Sequence, residues 1–299
     1  MIVITAPTST IGRQLLERLL DAEVPVRVVA RDPARLTDRT RDHAEVVAGS
    51  HCDPAIVDRA FAGADAVFWL TPADPHASSA LAAYVDFTRP AAEAFRQYGV
   101  ERVVGISALG RGTPVAGEAG LVTASLAMDD LIASTGVAYR ALAMPSFMDN
   151  LLRQLPGIAQ GVLSWPIAGD LKVPFCATRD IAAAAARWLL DDSWTGVEEV
   201  PVLGPEDLSF EDLARILTEE LGRPMRYQRQ PGAEFKAGLV GHGMSEPIAQ
   251  AMLDMMNAKN HGLDNGVRRT PATSSPTGFR QWCAEVLKPA LSQSAGRRG

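Results

Sequence analysis

The spacing of short apolar runs constrains this fold more than any other feature. "IVIT" (2–5), "VRVVA" (26–30), "AEVVAG" (44–49), "DAVFWLT" (65–71), "RVVGIS" (102–107) and "AYRALA" (138–143) recur through the first half. Each is long enough for a strand and too short for a helix of ordinary length. The stretches between them have helical period instead. In "IGRQLLERLLDA", Ile11, Leu15, Leu16, Leu19 and Leu20 fall on one face, and a further helix is expected over 122–135. Strand, turn and helix in repetition join parallel neighbours by crossovers. Strands this uniformly apolar belong in a sheet covered on both faces. The expected class is α/β, a doubly wound parallel sheet.

Beyond Pro145 the pattern changes. "PSFMDNLLRQLPGIAQG" reads as a short helix followed by Pro and Gly breaks. "LKVPFCATRDIAAAAARWLLDD" gives a strand and an Ala-rich helix capped by Asp180, and "EEVPVLG" gives another strand; both strands are expected to rejoin the main sheet. From Ser209 onward helices dominate, over 210–221, 234–240, 246–259 and 276–286. The expected division is a core over 1–155, rejoined by strands within 172–204, and a smaller helical lobe over 156–171 and 205–290 that shapes a substrate site. Residues 291–299 have nothing to bury and read as a flexible tail.

Charge and composition exclude several functions. A net charge of −6 gives no electrostatic reason to expect nucleic acid. No apolar run approaches the ~20 residues that span a bilayer, and the first residues lack a secretion signal, so a cytoplasmic protein is expected. Cys52, Cys176 and Cys283 lie far apart and write neither a disulfide framework nor a metal clip. The histidines show no ligand spacing, so no metal is expected. Only four residues are lysine, the first at Lys172, which removes any lysine-dependent chemistry from the first half.

"TAPTSTIG" (Thr5 to Gly12) links the first strand to the first helix, the place of a dinucleotide-binding glycine motif. A helix N-terminus holds phosphate through its unpaired N–H groups and the positive end of its dipole. Gly12 keeps the helix-packing glycine, whereas Ala6 and Ser9 occupy the other two glycine places. A structural turn and a phosphate cradle both fit this stretch alone. Arg31 ends the second strand 19 residues after Gly12, with Arg35 one helical turn beyond. Arginine at this place suits the 2′-phosphate of NADP(H), where an acidic residue would grip the ribose of NAD. Read alone, both are solvated loop arginines equally well.

These segments, taken in order, resemble the NmrA-like branch of the atypical short-chain dehydrogenase/reductase superfamily and its isoflavone-reductase-like relatives. "VITAPTSTIGRQLLERLL" resembles the strand–GATGxxG–helix opening, "VRVVARDPARL" the Arg-bearing second strand, and "FAGADAVFWLTP" the fourth. "YGVERVVGISALG" is similar to the fifth strand with its serine, and "VAYRALAMPSFMDNLL" to the sixth with its Phe-Met-x-Asn segment. "TRDIAAAAARWLLDD", "VLGPEDLSFEDLARILTEELGRPMRY" and "FRQWC" carry the likeness to nearly the whole chain. The resemblance implies a Rossmann-type fold binding NADP(H). By position, Thr8, Ser9, Thr10, Ile11 and Gly12 take the diphosphate and Arg31 the 2′-phosphate. Leu70, Thr71 and Pro72 line the nicotinamide side, with Ser107 and the turn Pro145, Ser146 and Phe147 beyond.

Departures from the family pattern are as informative. None of Tyr84, Tyr98, Tyr139 and Tyr227 is followed four residues later by lysine. The lysine that isoflavone-reductase-like members carry fourteen residues before the sixth-strand tyrosine is replaced by Ser125. Asp129 and Asp130, just past Ser125, read as a solvated helix face. Three functions stay open. The first is an NADPH-dependent oxidoreductase acting on a conjugated carbonyl or quinone, an apolar or aromatic small molecule, with Ser107, Ser125 or water assisting proton delivery. The second is a non-catalytic NADP(H)-sensing regulator, and the third a non-redox cyclase or isomerase in the same cleft. A homodimer is compatible with each.

Overall fold

The computed structural model describes residues 1–72 and 74–296. In chain order its strands and helices are β1 (Ile2–Thr5), α1 (Thr10–Asp21), β2 (Val26–Ala30), α2 (Asp38–His43), β3 (Glu45–Ala48), α3 (Pro54–Phe61), β4 (Ala66–Trp69), α4 (Phe87–Gln97), β5 (Arg102–Ala108), α5 (Leu121–Ala133) and β6 (Ala138–Met144). There follow β7 (Ser146–Phe147), α6 (Leu155–Ala159), β8 (Val162–Trp165), β9 (Val173–Cys176), α7 (Thr178–Leu190), β10 (Val197–Pro201), β11 (Asp207–Leu208) and α8 (Phe210–Leu221). The chain ends in β12 (Arg226–Arg229), α9 (Gly232–Gly241), α10 (Glu246–Asn260), α11 (Phe279–Trp282) and α12 (Lys288–Gly296).

Two compact units result. The first comprises residues 1–108, 124–143 and 181–200. It holds a seven-stranded sheet in the order β10-β6-β5-β4-β1-β2-β3. Strand β1 pairs in parallel with both β2 and β4, β2 with β3, and β4 with β5. The chain leaves β1 toward β2 and β3, then returns to the other side of β1 through β4. Strand order therefore reverses between β1 and β4, which is where doubly wound sheets bind ligands at the carboxyl ends. Thr5 pins that edge: its hydroxyl donates to the Phe68 carbonyl at 2.9 Å and accepts from the Leu70 N–H at 2.9 Å. The apolar runs fill the core as their pattern requires. Val3, Ile4, Val67, Phe68, Trp69, Val103 and Val104 are fully buried, and so are Leu15 and Leu19 of the α1 stripe. Each such aliphatic or aromatic side chain contributes roughly 1.5–3 kcal/mol by leaving water.

The second unit comprises residues 109–123, 144–180 and the chain from Pro201 onward. Its strands do not all go where the sequence placed them. β10 joins the seven-stranded sheet, but β9 does not: it lies between β11 and β7 in a separate three-stranded sheet. β8 and β12 form a parallel pair of their own. The whole stretch 144–180 is part of this second unit, whereas the expected core ran to residue 155. Asp180 also departs from its expected role. Its carboxylate accepts from the N–H and the hydroxyl of Thr277, both at 2.9 Å, tying down the loop before α11. The N-terminus of α7 is held instead by Asp149, which accepts from the Thr178 N–H at 3.1 Å and its hydroxyl at 2.8 Å. Phe210, Leu213, Leu217, Phe279, Trp282 and Leu287 form this unit's core. Helix α12 runs to Gly296, into the segment read as a flexible tail; residues 297–299 lie outside the described residues.

Candidate functional site

The turn from β1 into α1 keeps its shape without the usual glycines. Ala6 adopts φ +49°, a left-handed conformation that L-residues other than glycine rarely enter. Its carbonyl accepts from the Ser9 N–H at 3.0 Å. Ser9 is extended (φ −71°, ψ 162°), and its hydroxyl accepts from the Gly12 N–H at 3.0 Å as the N-cap of α1. The hydroxymethyl group is therefore folded back along the helix. The amides of Thr10 and Ile11 precede the first intrahelical hydrogen bond, from Arg13 to Ser9 at 2.9 Å, and have no helical acceptor. The first turn of α1 carries no acidic residue that would repel an anion. Gly12 is needed for closeness: a Cβ there would overlap the Ala6 carbonyl oxygen and stand 2.9 Å from Ser9 Oγ. Thr8 and Ser9 are half-buried, Thr10 is exposed, and Ile11 faces the core. A diphosphate fits this donor set, and Ser9 does not plug it.

Arg31 stands immediately after β2, exposed and without a carboxylate partner among the described residues. The neighbouring Asp32 is committed elsewhere, accepting from the Ala34 N–H at 3.1 Å in the turn Pro33–Arg35. Arg35 is also exposed. Below this edge lies a residue that no motif singled out. His51 is buried, hydrogen-bonded through Nε2 to the Leu70 carbonyl at 3.0 Å, with its ring edge-on to Trp69 at 5.2 Å and Phe87 at 4.9 Å. Burial lowers its pKa from 6.5 to about 4; the Leu70 bond opposes that shift and the Arg31 charge adds to it. The ring is thus neutral near pH 7, with the proton on Nε2 where the carbonyl needs it. It supports Leu70 from beneath, while Leu70, Thr71 and Pro72 remain half-buried at the carboxyl end of β4.

Asp129 is the main correction to the sequence reading. It faces inward from α5 with 3% of its surface exposed, rather than lying on a solvated face as Asp130 does. Ser107 of β5 donates its hydroxyl to Asp129 Oδ2, and Tyr139 of β6 donates to Asp129 Oδ1 at 2.6 Å. Gly105 makes room for this group, since a Cβ there would overlap the Tyr139 hydroxyl. Ser125, one turn before Asp129, is buried as well. The spacing i, i+4 of Ser125 and Asp129 was the available signal, because it puts Asp129 on the same helix face as the serine given a part in proton delivery.

In the second unit, Pro145 is buried and Ser146 and Phe147 are half-buried in β7, which pairs with β9 at Ser146↔Phe175 and Phe147↔Cys176. Trp165 is packing: its Nε1–H points at Met256 Sδ at 2.8 Å and its ring lies between Phe210 and Phe235. No group of side chains among the described residues has the make-up of a metal site, and no described helix is long and apolar enough to cross a membrane.

Residues 8–191 match a protein family described as NAD(P)H-binding. The chain is 32% identical to a (4-alkanoyl-5-oxo-2,5-dihydrofuran-3-yl)methyl phosphate reductase of Streptomyces griseus, over 95% of this chain and 97% of that protein. It is 28% identical to an NAD(P)H azoreductase of Xenophilus azovorans, over 85% of this chain and 86% of the other. Among solved structures, an NADPH-dependent quinone oxidoreductase of Escherichia coli superposes with a TM-score of 0.76 at 22% identity, covering 96% of this chain and all (100%) of its own. Strand order, the β1–α1 turn and these matches agree with the family the sequence resembled. The chain belongs to the NAD(P)H-binding, Rossmann-type family of the atypical short-chain dehydrogenase/reductase kind.

Proposed function

We propose that this protein is an NADPH-dependent reductase of a small conjugated acceptor, a quinone or an enone-type carbonyl. One observation carries the reading: the acid-free N-terminus of α1 at the sheet's reversal point is paired with an exposed Arg31, without a carboxylate partner among the described residues, just past the end of the adjacent strand. The backbone of Thr8 to Gly12 would hold the diphosphate, and Arg31 the 2′-phosphate. When bound, NADPH supplies the two electrons and one hydrogen of the reduction. Leu70, Thr71 and Pro72 would flank its reactive end, with Leu70 held by Thr5 and His51.

The acceptor class follows from what the hydroxyls can do. Tyr139 is fully buried and donates to Asp129, and Ser107 donates to the same carboxylate. Neither is placed to act as a strong general acid, so an acceptor that delocalises its developing charge suits this chain better than a plain ketone. The relatives' names, a dihydrofuranone, an azo and a quinone reductase, support the same class. The hydroxyl of Ser125 or a water would assist protonation. Ser9, although it stands in a glycine place, is spent on capping α1 and gives no argument for the non-redox alternative.

The test is a calorimetric titration of wild type and Arg31→Ala with NADPH and NADH, followed by turnover on quinones and enones. Loss of a charge-assisted contact worth about 1.5–3 kcal/mol would weaken NADPH about 10- to 100-fold in the variant and leave NADH unchanged. Equal wild-type affinity for NADH and NADPH would remove the role of Arg31. Tight binding without turnover would favour the cofactor-sensing alternative.

A further inference from the structure

The polarity of the Ser107 hydroxyl is set by what lies behind it. Both hydroxyls that meet Asp129 donate to it, Ser107 to Oδ2 and Tyr139 to Oδ1. A serine has one hydrogen. With that hydrogen committed to Asp129 Oδ2, Ser107 has lone pairs alone to offer to any other group beside it. The arrangement is held from several directions. Asp129 is carried on the thirteen-residue helix α5 (13 residues), its second oxygen is engaged by Tyr139 from β6, and the tyrosine reaches it because Gly105 of β5 has no side chain. All four residues belong to the first unit and to contiguous elements of it.

We infer that Asp129 is a positioning residue that fixes Ser107 as a hydrogen-bond acceptor, so that Ser107 recognises an N–H or O–H donor on its ligand rather than supplying a proton. The inference rests on the cofactor reading above. It assigns Ser107 a role opposite to that of an acid: the hydroxyl orients, and the proton of the reduced product comes from elsewhere. Two ligands carry such a donor, the carboxamide of the nicotinamide and a hydroxyl on the acceptor molecule. Replacing Asp129 by asparagine keeps the shape but turns one end of the group into an N–H donor. A Ser107 hydroxyl facing that donor would be released to point its hydrogen outward.

The experiment compares binding of NADP+ with binding of its 3-acetylpyridine analogue, which lacks the carboxamide N–H, by calorimetry in wild type, Ser107→Ala and Asp129→Asn. A donor on the cofactor predicts that wild type prefers NADP+ by about tenfold, the worth of one good hydrogen bond. Ser107→Ala would then bring the ratio close to one without weakening the analogue, and Asp129→Asn would shrink it at an unchanged melting profile. A donor on the acceptor molecule predicts an unchanged cofactor ratio and a KM advantage of hydroxylated quinones over their methyl ethers that disappears in Ser107→Ala. If Asp129→Asn does not fold, Ser107→Ala alone decides. No preference on either arm, or a Ser107→Ala enzyme whose turnover falls and is restored by small added acids, would overturn the inference. Failure of wild type to bind NADP+ at all would instead overturn the cofactor reading beneath it.

Discussion

Gly12→Ala sets two known effects against each other at one position. Alanine is a better helix former than glycine, so in an open helical site the change would add up to about 1 kcal/mol of stability. Gly12 is not open. The new methyl would overlap the Ala6 carbonyl oxygen and crowd Ser9 Oγ at 2.9 Å. Relief requires either the helix or the turn to move by a large fraction of an ångström. Moving the turn loosens the 3.0 Å bond from Ser9 N–H to Ala6 and disturbs a residue already held at φ +49°; moving the helix strains the Ser9 cap. Overpacking of this kind costs about 1–3 kcal/mol and a lost hydrogen bond about 1 kcal/mol more. The sum against the propensity gain is a net loss of roughly 1–3 kcal/mol, and at about 2–4 °C per kcal/mol for domains of this size a fall of several degrees in Tm. The assay is paired thermal melting and NADPH titration, because the same displacement tilts the amides of Thr10 and Ile11 away from any phosphate. A variant as stable as wild type with unchanged NADPH affinity would refute the reasoning, since propensity alone would then have decided the outcome.

Two further outcomes follow from the same unit. Ser9→Ala removes the N-cap and is expected to cost about 1 kcal/mol, whereas Ser9→Gly costs only a few tenths; urea unfolding of both distinguishes them, and equal losses would mean that the hydroxyl bond to Gly12 contributes nothing. His51 has a folded pKa of about 4 against 6.5 for the free side chain, so the folded state binds fewer protons in that window. Its contribution is complete above about pH 6.5 and lost as pH falls toward 4, by an amount on the order of 3 kcal/mol. Stability measured across that range should therefore decline less steeply in His51→Gln than in wild type, and parallel curves would show that the ring is not buried neutral.

What the sequence made legible, and what it hid, divides along a physical line. Periodicity and apolar runs report which residues leave water, and that was enough for the seven-stranded sheet up to β6, for the α1 stripe and for Trp69 in the core. It was not enough for β9. "VPFC" and "VEEVP" are short strands on either side of α7, and nothing in either states which neighbour offers the free ladder edge; β10 pairs next to β6 while β9 pairs with two-residue partners. Asp180 had the position of a cap but the bonds of a loop anchor, because Asp149, distant in sequence, reaches the helix first.

The glycine question and the Asp129 error share a cause. Polar residues were read by the exposure usual for their type, and both exceptions arise where a polar group meets backbone or hydroxyl partners across the fold. Ser9 replaces a glycine yet opens no cavity and closes none, because its hydroxyl satisfies a helix-end amide that would otherwise face water. Ala6 takes the strained conformation a glycine would have taken freely, at a cost of about 1–2 kcal/mol. The turn is thus retained by substitution of forces, a cap for one glycine and tolerated strain for another, with Gly12 alone left to the requirement that no side chain can meet. Asp129 is buried on the same logic. A buried carboxyl group is costly inside a protein unless hydrogen-bond partners meet it, and here Ser107 and Tyr139 both donate to it. With Asp129 between them, Ser107 and Tyr139 both point their hydrogens inward, so the hydroxyl hydrogens of both are spent inside the fold, and in the proposed reductase the proton of the product has to come from another group.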